Sequence, residues 1–300
     1  MHKDKLKQLQ RQLGKMGQLA AENMICISTP PIDITDMVTQ SRLLVQGKTA
    51  LEALKILVNL YPGAQKSKIR SAAEQELTKF HLYSFFGLTV RSMDGRIVAK
   101  NPGSAVAVKG TPKYEDAVWN EMIRIYYSEI SVFVLGRVIP VLETMIAEHS
   151  MQERDFVSIC SQSSIVPMDR VSAFAKALFA GYELDFDSVI HRLVPQLENM
   201  VRYHLKAAGA VTTTLGEDGI EMEVNLSALL ERDEAVQIFG EEVLFEMKAL
   251  FCDSRGPNFR HGLAHGLLED KDFESTWAVY AWCFGLRLVF NVFWNTCRKE

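Results

Sequence analysis

The feature that most restricts the fold is an apolar segment that runs from Trp277 to Cys297. It is long enough to cross a membrane as a helix, but its polar residues include Arg287, Asn291 and Asn295. An arginine in the middle of a membrane span, with no evident partner, is costly in lipid. We therefore interpret the segment as a helix buried in an all-α core, and we expect no membrane partner.

The composition allows such a core. The chain has 300 residues, of which 48% are hydrophobic, and a net charge of −4. A chain of this length can bury a substantial core, and it has no overall basic charge that would attract nucleic acid. The basic start is not followed by the apolar run of a signal peptide. Cysteines without a CxxC pair are typical of a reducing compartment, so we predict a cytoplasmic protein. They are Cys26, Cys160, Cys252, Cys283 and Cys297.

The first part of the chain predicts helices followed by one β-hairpin. Residues 3–21 have a basic amphipathic pattern, which we interpret as a surface helix or the start of a fragment of a larger protein, rather than as a nucleic-acid arm. Two β-branched runs flank an Asp-Gly turn in residues 88–99, which is a strong hairpin signal. Further helical patterns cover residues 36–45, 48–61 and 66–82.

Beyond residue 110 the pattern is almost entirely helical. Asp185 and Asp187 are suited to cap a long helix that Gly209 would end. Residues 212–223 form a loop or a short hairpin by their turn residues. We therefore predict two parts, residues 1–110 and 111–300. The helices cover residues 114–149 (interrupted near Gly136 and Pro140), 155–161, 168–181, 186–208, 226–230, 236–251 and 273–296.

The candidate functional site is the segment Gly256–Leu268, which places one asparagine, one arginine and two histidines in an apolar region. We predict that Asn258 caps a helix whose first turn holds Arg260. His261 and His265 then lie one turn apart on one face of that helix. Because the free N–H groups of a first turn suit an anion, the segment is predicted to hold a negatively charged group beside an imidazole.

Other chemistries fit these residues less well. His261 and His265 have the spacing of two metal ligands, but Gly262 stands where the HExxH motif has glutamate. A metal-dependent hydrolase that uses these two histidines is therefore a remote hypothesis. The sequence also has no GxSxG motif and neither of the common phosphate-binding glycine loops. We predict that the site needs no metal and no cofactor.

An arginine and a histidine held together can cleave RNA without metal or nucleotide. His265 would act as general acid or base toward the ribose 2′-hydroxyl or the leaving oxygen. Arg260 would hold the phosphate and stabilise the charge of the transition state. One imidazole usually cannot serve both ends of this reaction, so two motifs that meet across a dimer would be an economical arrangement.

Four further residues are candidates for a supporting role. His261 and Asn258 would orient the site. Glu198 and Arg202 share one stripe of the predicted helix over residues 186–208. They form either a solvated surface pair, which contributes little to stability, or a polar wall that faces the Arg–His motif.

The segment Arg260–Gly266 resembles the RNxxAHG signature of a family of uncharacterised bacterial and eukaryotic domains, and that family is similar to the HEPN superfamily. The resemblance extends upstream through Pro195–Arg202 and residues 212–220, and it covers residues 185–295. His261 stands where the family usually has asparagine, and histidine also occurs at this place in other HEPN nucleases.

The resemblance implies an all-helical, usually dimeric domain with its core at about residues 185–300 and the Arg–His motif at the dimer interface. Many HEPN members are metal-independent endoribonucleases, and several belong to toxin, antiphage or RNA-processing systems. We therefore expect an endoribonuclease that attacks RNA through the 2′-hydroxyl and dimerises through its C-terminal helices. The alternative is a catalytically silent dimerisation or interaction module with a protein partner, which the acidic net charge favours.

Overall fold

The computed structural model describes residues 2–25, 30–79, 88–91, 96–101 and 108–297. The mainly α-helical fold predicted from the sequence is confirmed. The earlier helices are α1 (His2–Glu22), α2 (Thr35–Val45), α3 (Ala50–Asn59), α4 (Lys66–Thr78), α5 (Pro112–Phe133), α6 (Ile139–Glu148) and α7 (Glu153–Ser161). The later helices are α8 (Val171–Tyr182), α9 (Phe186–Ala207), α10 (Leu226–Leu229), α11 (Asp233–Met247), α12 (Phe259–Ala264), α13 (Asp270–Phe273) and α14 (Thr276–Cys297).

Two short antiparallel strand pairs interrupt the helices. Strands β1 (Leu88–Arg91) and β2 (Ile97–Asn101) pair within the segment predicted to form a hairpin, with a shift in register between Val90 and Arg91. The Asp-Gly turn predicted between them lies outside the described residues. Strands β3 (Thr213–Leu215) and β4 (Glu221–Glu223) form the second pair, where the sequence predicted a loop or a short hairpin.

By contacts within the chain, the residues group into two compact units. One comprises residues 1–32 and 67–125, and the other comprises residues 33–66 and 126–300. This grouping differs from the predicted division at residue 110. The physical reason is that α2 and α3 pack against α6, and α3 also packs against α14, so an early segment belongs with the later helices.

The packing of α2 explains the interruption predicted near Gly136. A π-helical turn over Val134–Val138 joins α5 to α6 at this place. A side-chain carbon on Gly136 would collide with the sulfur of Met37 on α2. The Ser41 hydroxyl, also on α2, donates a hydrogen bond to the carbonyl oxygen of Gly136 at 3.1 Å. Gly136 is therefore needed for the close approach of α2.

Helix α14 occupies the centre of the second unit, as its apolar sequence predicts. It contacts α3, α7, α8 and α9. The Trp282 indole N–H donates to the carbonyl oxygen of Leu178 at 2.9 Å, and a side-chain carbon on Gly181 would collide with the same ring. Among the described residues, two helical stretches have the length and composition to cross a membrane, residues 112–148 and 276–297; the most apolar part of the second is 72% buried.

A buried ion pair lies beside this central helix. Arg287 of α14 donates to Glu246 of α11 at 2.7 Å, and the Glu246 side chain is only 1% exposed. The same carboxylate accepts hydrogen bonds from the Ala64 amide at 2.9 Å, from the Tyr126 hydroxyl at 3.1 Å and from the Tyr280 hydroxyl. Arg287 therefore has the partner that the sequence did not reveal, and the charge of this carboxylate is shared among four donors.

Candidate functional site

The Arg–His motif forms a shorter helix than the sequence predicts. Helix α12 ends at Ala264, so His265 occupies the C-cap position instead of lying inside the helix. The Leu267 amide donates to the carbonyl oxygen of Gly262 at 2.8 Å and the Gly266 amide to that of Leu263 at 3.3 Å. With Gly266 at a φ of 61°, these two bonds are the Schellman arrangement that stops a helix.

The predicted role of Asn258 as a helix cap is wrong. Asn258 does occupy the N-cap position, but its backbone is left-handed, with φ at 49°, and its side chain makes no capping hydrogen bond. Its side-chain oxygen is buried without a hydrogen-bond partner among the described residues. The next residue, Phe259, is 0% exposed, so the backbone turns to bury this ring. The first turn of α12 therefore has no side-chain cap from Asn258.

Arg260 is held by the polar face of α9. Its Nε donates to one oxygen of Glu198 at 3.0 Å, and Arg202 donates to the other oxygen at 2.9 Å. The side chains of Glu198 and Arg202 are both only 16% exposed. These two residues thus form the polar wall facing the motif rather than a solvated surface pair.

The orientation of the Arg260 guanidinium leaves part of it available. In the part of the chain that the structure describes, its two terminal Nη groups donate no hydrogen bond, and the side chain is 31% exposed. An arginine fixed through Nε presents its remaining N–H groups in one plane, which matches the oxygens of a phosphate or carboxylate. Glu198 therefore orients Arg260 without consuming all of its donors.

Arg202 extends the cluster to the second strand pair. It donates to the carbonyl oxygen of Val224 at 2.6 Å, and its Nε lies 2.8 Å from Glu223, which also accepts from Lys206. The hydrogen bond from Lys206 is the main cause that lowers the pKa of Glu223, and Arg202 contributes to the same effect. These contacts fix the β3–β4 pair to the side of α9 that carries Arg202.

A cavity of about 450 Å³ lies between α9 and α12. Arg170, Arg202 and Arg260 line it together with Glu198. The side-chain oxygen of Gln196, another lining residue, is buried and has no hydrogen-bond partner among the described residues. Arg202 and Arg260 share Glu198, whereas the Nε of Arg170 lies 3.2 Å from Asp169. The three guanidinium groups that line the cavity suit a polar anion. Arg170 could not be predicted as part of this site, because nothing in its local sequence pattern connects it with the motif.

The two imidazoles lie on the solvent side of the motif. His261 and His265 are both exposed, and their ring centroids are 4.5 Å apart. Neither residue lines the cavity. The structure therefore brings Arg260, Glu198 and Arg202 together and places the histidines next to one another at the surface. Among the described residues, no group of three or more His, Cys, Asp or Glu side chains is arranged to hold a metal ion.

Cys252, which interacts electrostatically with Arg260 and Glu198, is not an activated nucleophile. Burial raises the pKa of the Cys252 thiol to about 12; the charge of Arg260 lowers it and that of Glu198 raises it, both to a smaller extent. A thiol with this pKa is almost entirely protonated at neutral pH, and the thiolate is the reactive form. The ionisable groups suited to proton transfer at this place are the histidines.

Comparisons with known proteins add no relative. No family model, no curated protein and no solved structure matches the chain. The resemblance to the HEPN superfamily thus rests on the residues of the motif and its flanks, and it stays a hypothesis.

Proposed function

We propose that the protein is a metal-independent endoribonuclease whose site is built around Arg260. The observation that supports this most directly is that Glu198 fixes Arg260 through Nε and leaves its Nη groups beside a cavity lined by Arg170 and Arg202. A phosphodiester has the charge and the oxygen geometry that such a set of donors binds. The exposed His265 follows directly after the helix that carries Arg260.

In the proposed reaction, the ribose 2′-hydroxyl attacks the adjacent phosphorus while the bond from phosphorus to the 5′-oxygen breaks. His265 takes the proton of the 2′-hydroxyl or returns one to the leaving oxygen, as general acid–base catalysis requires. Arg260 stabilises the additional negative charge on the phosphoryl oxygens in the transition state. Since two proton transfers are needed, the second imidazole comes from His261 or from a second copy of the motif.

A homodimer through the C-terminal helices is part of this proposal. The resemblance to HEPN domains supports it, as it supports RNA as the substrate and a role in defence, as a toxin or in RNA processing. A cytoplasmic location agrees with the scattered cysteines and with an RNA substrate. The exposure of His265 leaves it accessible to a second copy of the chain.

The test is incubation of the purified protein with mixed RNA in the presence of EDTA. We expect cleavage by the wild-type protein and a loss of at least about a hundredfold in rate for both Arg260→Ala and His265→Ala. Matched controls are Arg42→Ala and His191→Ala, because both side chains are exposed outside the motif and each already has an acidic partner. No cleavage by the wild-type protein, or equal cleavage by the motif variants and the controls, would contradict the proposal.

A second candidate function is a silent interaction module, and one observation favours it. Glu198 accepts from both Arg260 and Arg202, and Arg202 also bonds to Val224, so the cluster joins α12, α9 and the second strand pair. In that case Arg260→Ala would lower the free energy of unfolding while no RNA is cleaved by the wild-type protein. Sedimentation analysis of the same variants would show whether the cluster also maintains a dimer.

A further inference from the structure

Helix α1 exposes a continuous apolar face. Leu6, Leu9, Leu13, Met16 and Leu19 are each at least half exposed, with values from 50% to 67%. At about 100° per residue, the first four fall within a sector of about 80°, and Leu19 extends it on one side. An apolar stripe of this length, left open to solvent, marks an interaction surface rather than a set of scattered surface leucines.

The opposite face of α1 carries most of the helix's charges, with an excess of basic residues. Lys7, Arg11 and Lys15 project away from the apolar stripe and are exposed, and the two acidic residues, Asp4 and Glu22, lie near the two ends of the same face. The sequence of α1 contains five basic and two acidic residues, although the whole chain has a net charge of −4. Helix α1 thus combines an excess of basic residues with an exposed apolar face.

A second copy of α1 is a poor occupant for this face. The stripe from Leu6 to Met16 covers fewer than the three to four heptads that a coiled coil usually needs. Pairing of two such helices would also bring two positively charged segments together, which is unfavourable. The glycines Gly14 and Gly17 lower the helix propensity further.

We propose that α1 lies in the headgroup region of a membrane that contains anionic lipids. Leucines on one face, lysines and arginine on the other, and a predominance of polar residues along the whole helix are the features of helices that bind in the plane of the interface. Anionic headgroups attract the basic face, and the acyl boundary takes up Leu6, Leu9 and Leu13. The protein then associates with the membrane surface without a span, which replaces the expectation of no membrane partner and does not depend on the proposed nuclease activity.

The test is sedimentation of the full chain with vesicles of phosphatidylcholine alone or mixed with phosphatidylserine. We expect binding to the mixed vesicles only, weakened by high salt. The double variant Leu9→Gln, Leu13→Gln should lower the partition coefficient by at least about thirtyfold, since two apolar side chains no longer enter the interface. Replacement of Lys7, Arg11 and Lys15 by glutamine should lower it by about a hundredfold, at roughly fivefold for each charge.

The matched control is Leu43→Gln with Leu44→Gln, because these leucines are also exposed but lie on α2. The control should bind as the wild-type protein does. Equal partition onto both kinds of vesicle, or equal effects of the two double variants, would overturn the proposal. A shift from dimer to monomer in the Leu9, Leu13 variant with unchanged vesicle binding would overturn it as well, since the face would then belong to a second copy.

Discussion

Two glutamate–arginine pairs in the same compact unit have different surroundings. Glu246 and Arg287 are buried, and the carboxylate accepts from two tyrosine hydroxyls and a backbone amide in addition to the guanidinium. Glu198 and Arg260 lie beside a cavity, and the arginine keeps its Nη groups without hydrogen bonds to the described residues. The carboxylate of the first pair has several hydrogen-bond donors from within the fold, whereas the arginine of the second pair can still donate to a ligand.

The difference shows what burial does to an ion pair. Burial by itself would lower the pKa of Arg287, but the charge of Glu246 and the hydrogen bonds to Glu246 and Tyr280 raise it above its ordinary range, so the arginine stays charged. Such a pair is costly to break because either partner would remain as an isolated charge in the core. A partly exposed pair such as Glu198 and Arg260 is easier to rearrange, which is a requirement for binding an anion from solution.

The largest expected effect comes from breaking the buried pair. Glu246→Gln should lower the free energy of unfolding by about 3–5 kcal/mol, because Arg287 would lose the charge that compensates it. Urea denaturation measures this directly. Glu143→Gln is the matched control, since Glu143 also pairs with an arginine but is exposed, and its effect should be within about 1 kcal/mol. Equal effects of the two variants would remove the distinction between the pairs.

A smaller loss is expected when one hydrogen bond to the buried carboxylate is deleted. Tyr280→Phe should cost about 2 kcal/mol, the range for hydrogen bonds to charged groups, because its hydroxyl donates to Glu246 and accepts from Arg287. The comparison is with Tyr203→Phe, whose side chain is exposed. If neither variant lowered the free energy of unfolding, the Glu246 carboxylate would not need the hydrogen bond from Tyr280.

At the cavity we expect a modest loss of stability and a marked loss of RNA cleavage. Glu198→Gln should lower the free energy of unfolding by about 1–2 kcal/mol, because Arg260 keeps only a neutral partner and Arg202 keeps only one of its two carboxylate partners. It should lower the cleavage rate by more than the loss of folded protein explains, because Arg260 is no longer oriented. Cleavage rates measured well below the unfolding midpoint separate the two effects. Unchanged cleavage would assign Glu198 a structural role only.

The smallest expected effect belongs to the outer carboxylate of the cluster. The pKa of Glu223 is lowered, chiefly by its hydrogen bond from Lys206. Its contribution to stability is therefore present above the ordinary glutamate pKa and is lost as the pH falls through the lowered value. Glu223→Gln should cost a few tenths of a kcal/mol at neutral pH and nothing in acid. If the difference in free energy of unfolding between Glu223→Gln and the wild-type protein increased as the pH falls, the prediction would be contradicted.

Local signals in the sequence predict the helices well. The helix predicted over residues 186–208 is α9, Phe186–Ala207. Asp185 caps it through the amide of Ser188, as predicted, and Gly209 follows with a φ of 82°. These signals act over three or four residues, so they do not depend on the rest of the fold.

The site was predicted in part. The sequence pointed to Arg260, Glu198 and Arg202, which do lie together, because one stripe of α9 carries the last two. The backbone of Asn258 could not be predicted, since the packing of Phe259 determines it. Glu246 could not be matched with Arg287 either, because only the tertiary fold brings these two helices into contact.

The helix stop at Gly266 changes what a pattern search for this motif would find. The glycine adopts a left-handed backbone, and no atom lies within 4 Å of the place where its side chain would begin. Its backbone conformation ends α12. A search that requires the His-Gly pair therefore selects proteins for the shape of a helix ending as well as for an imidazole.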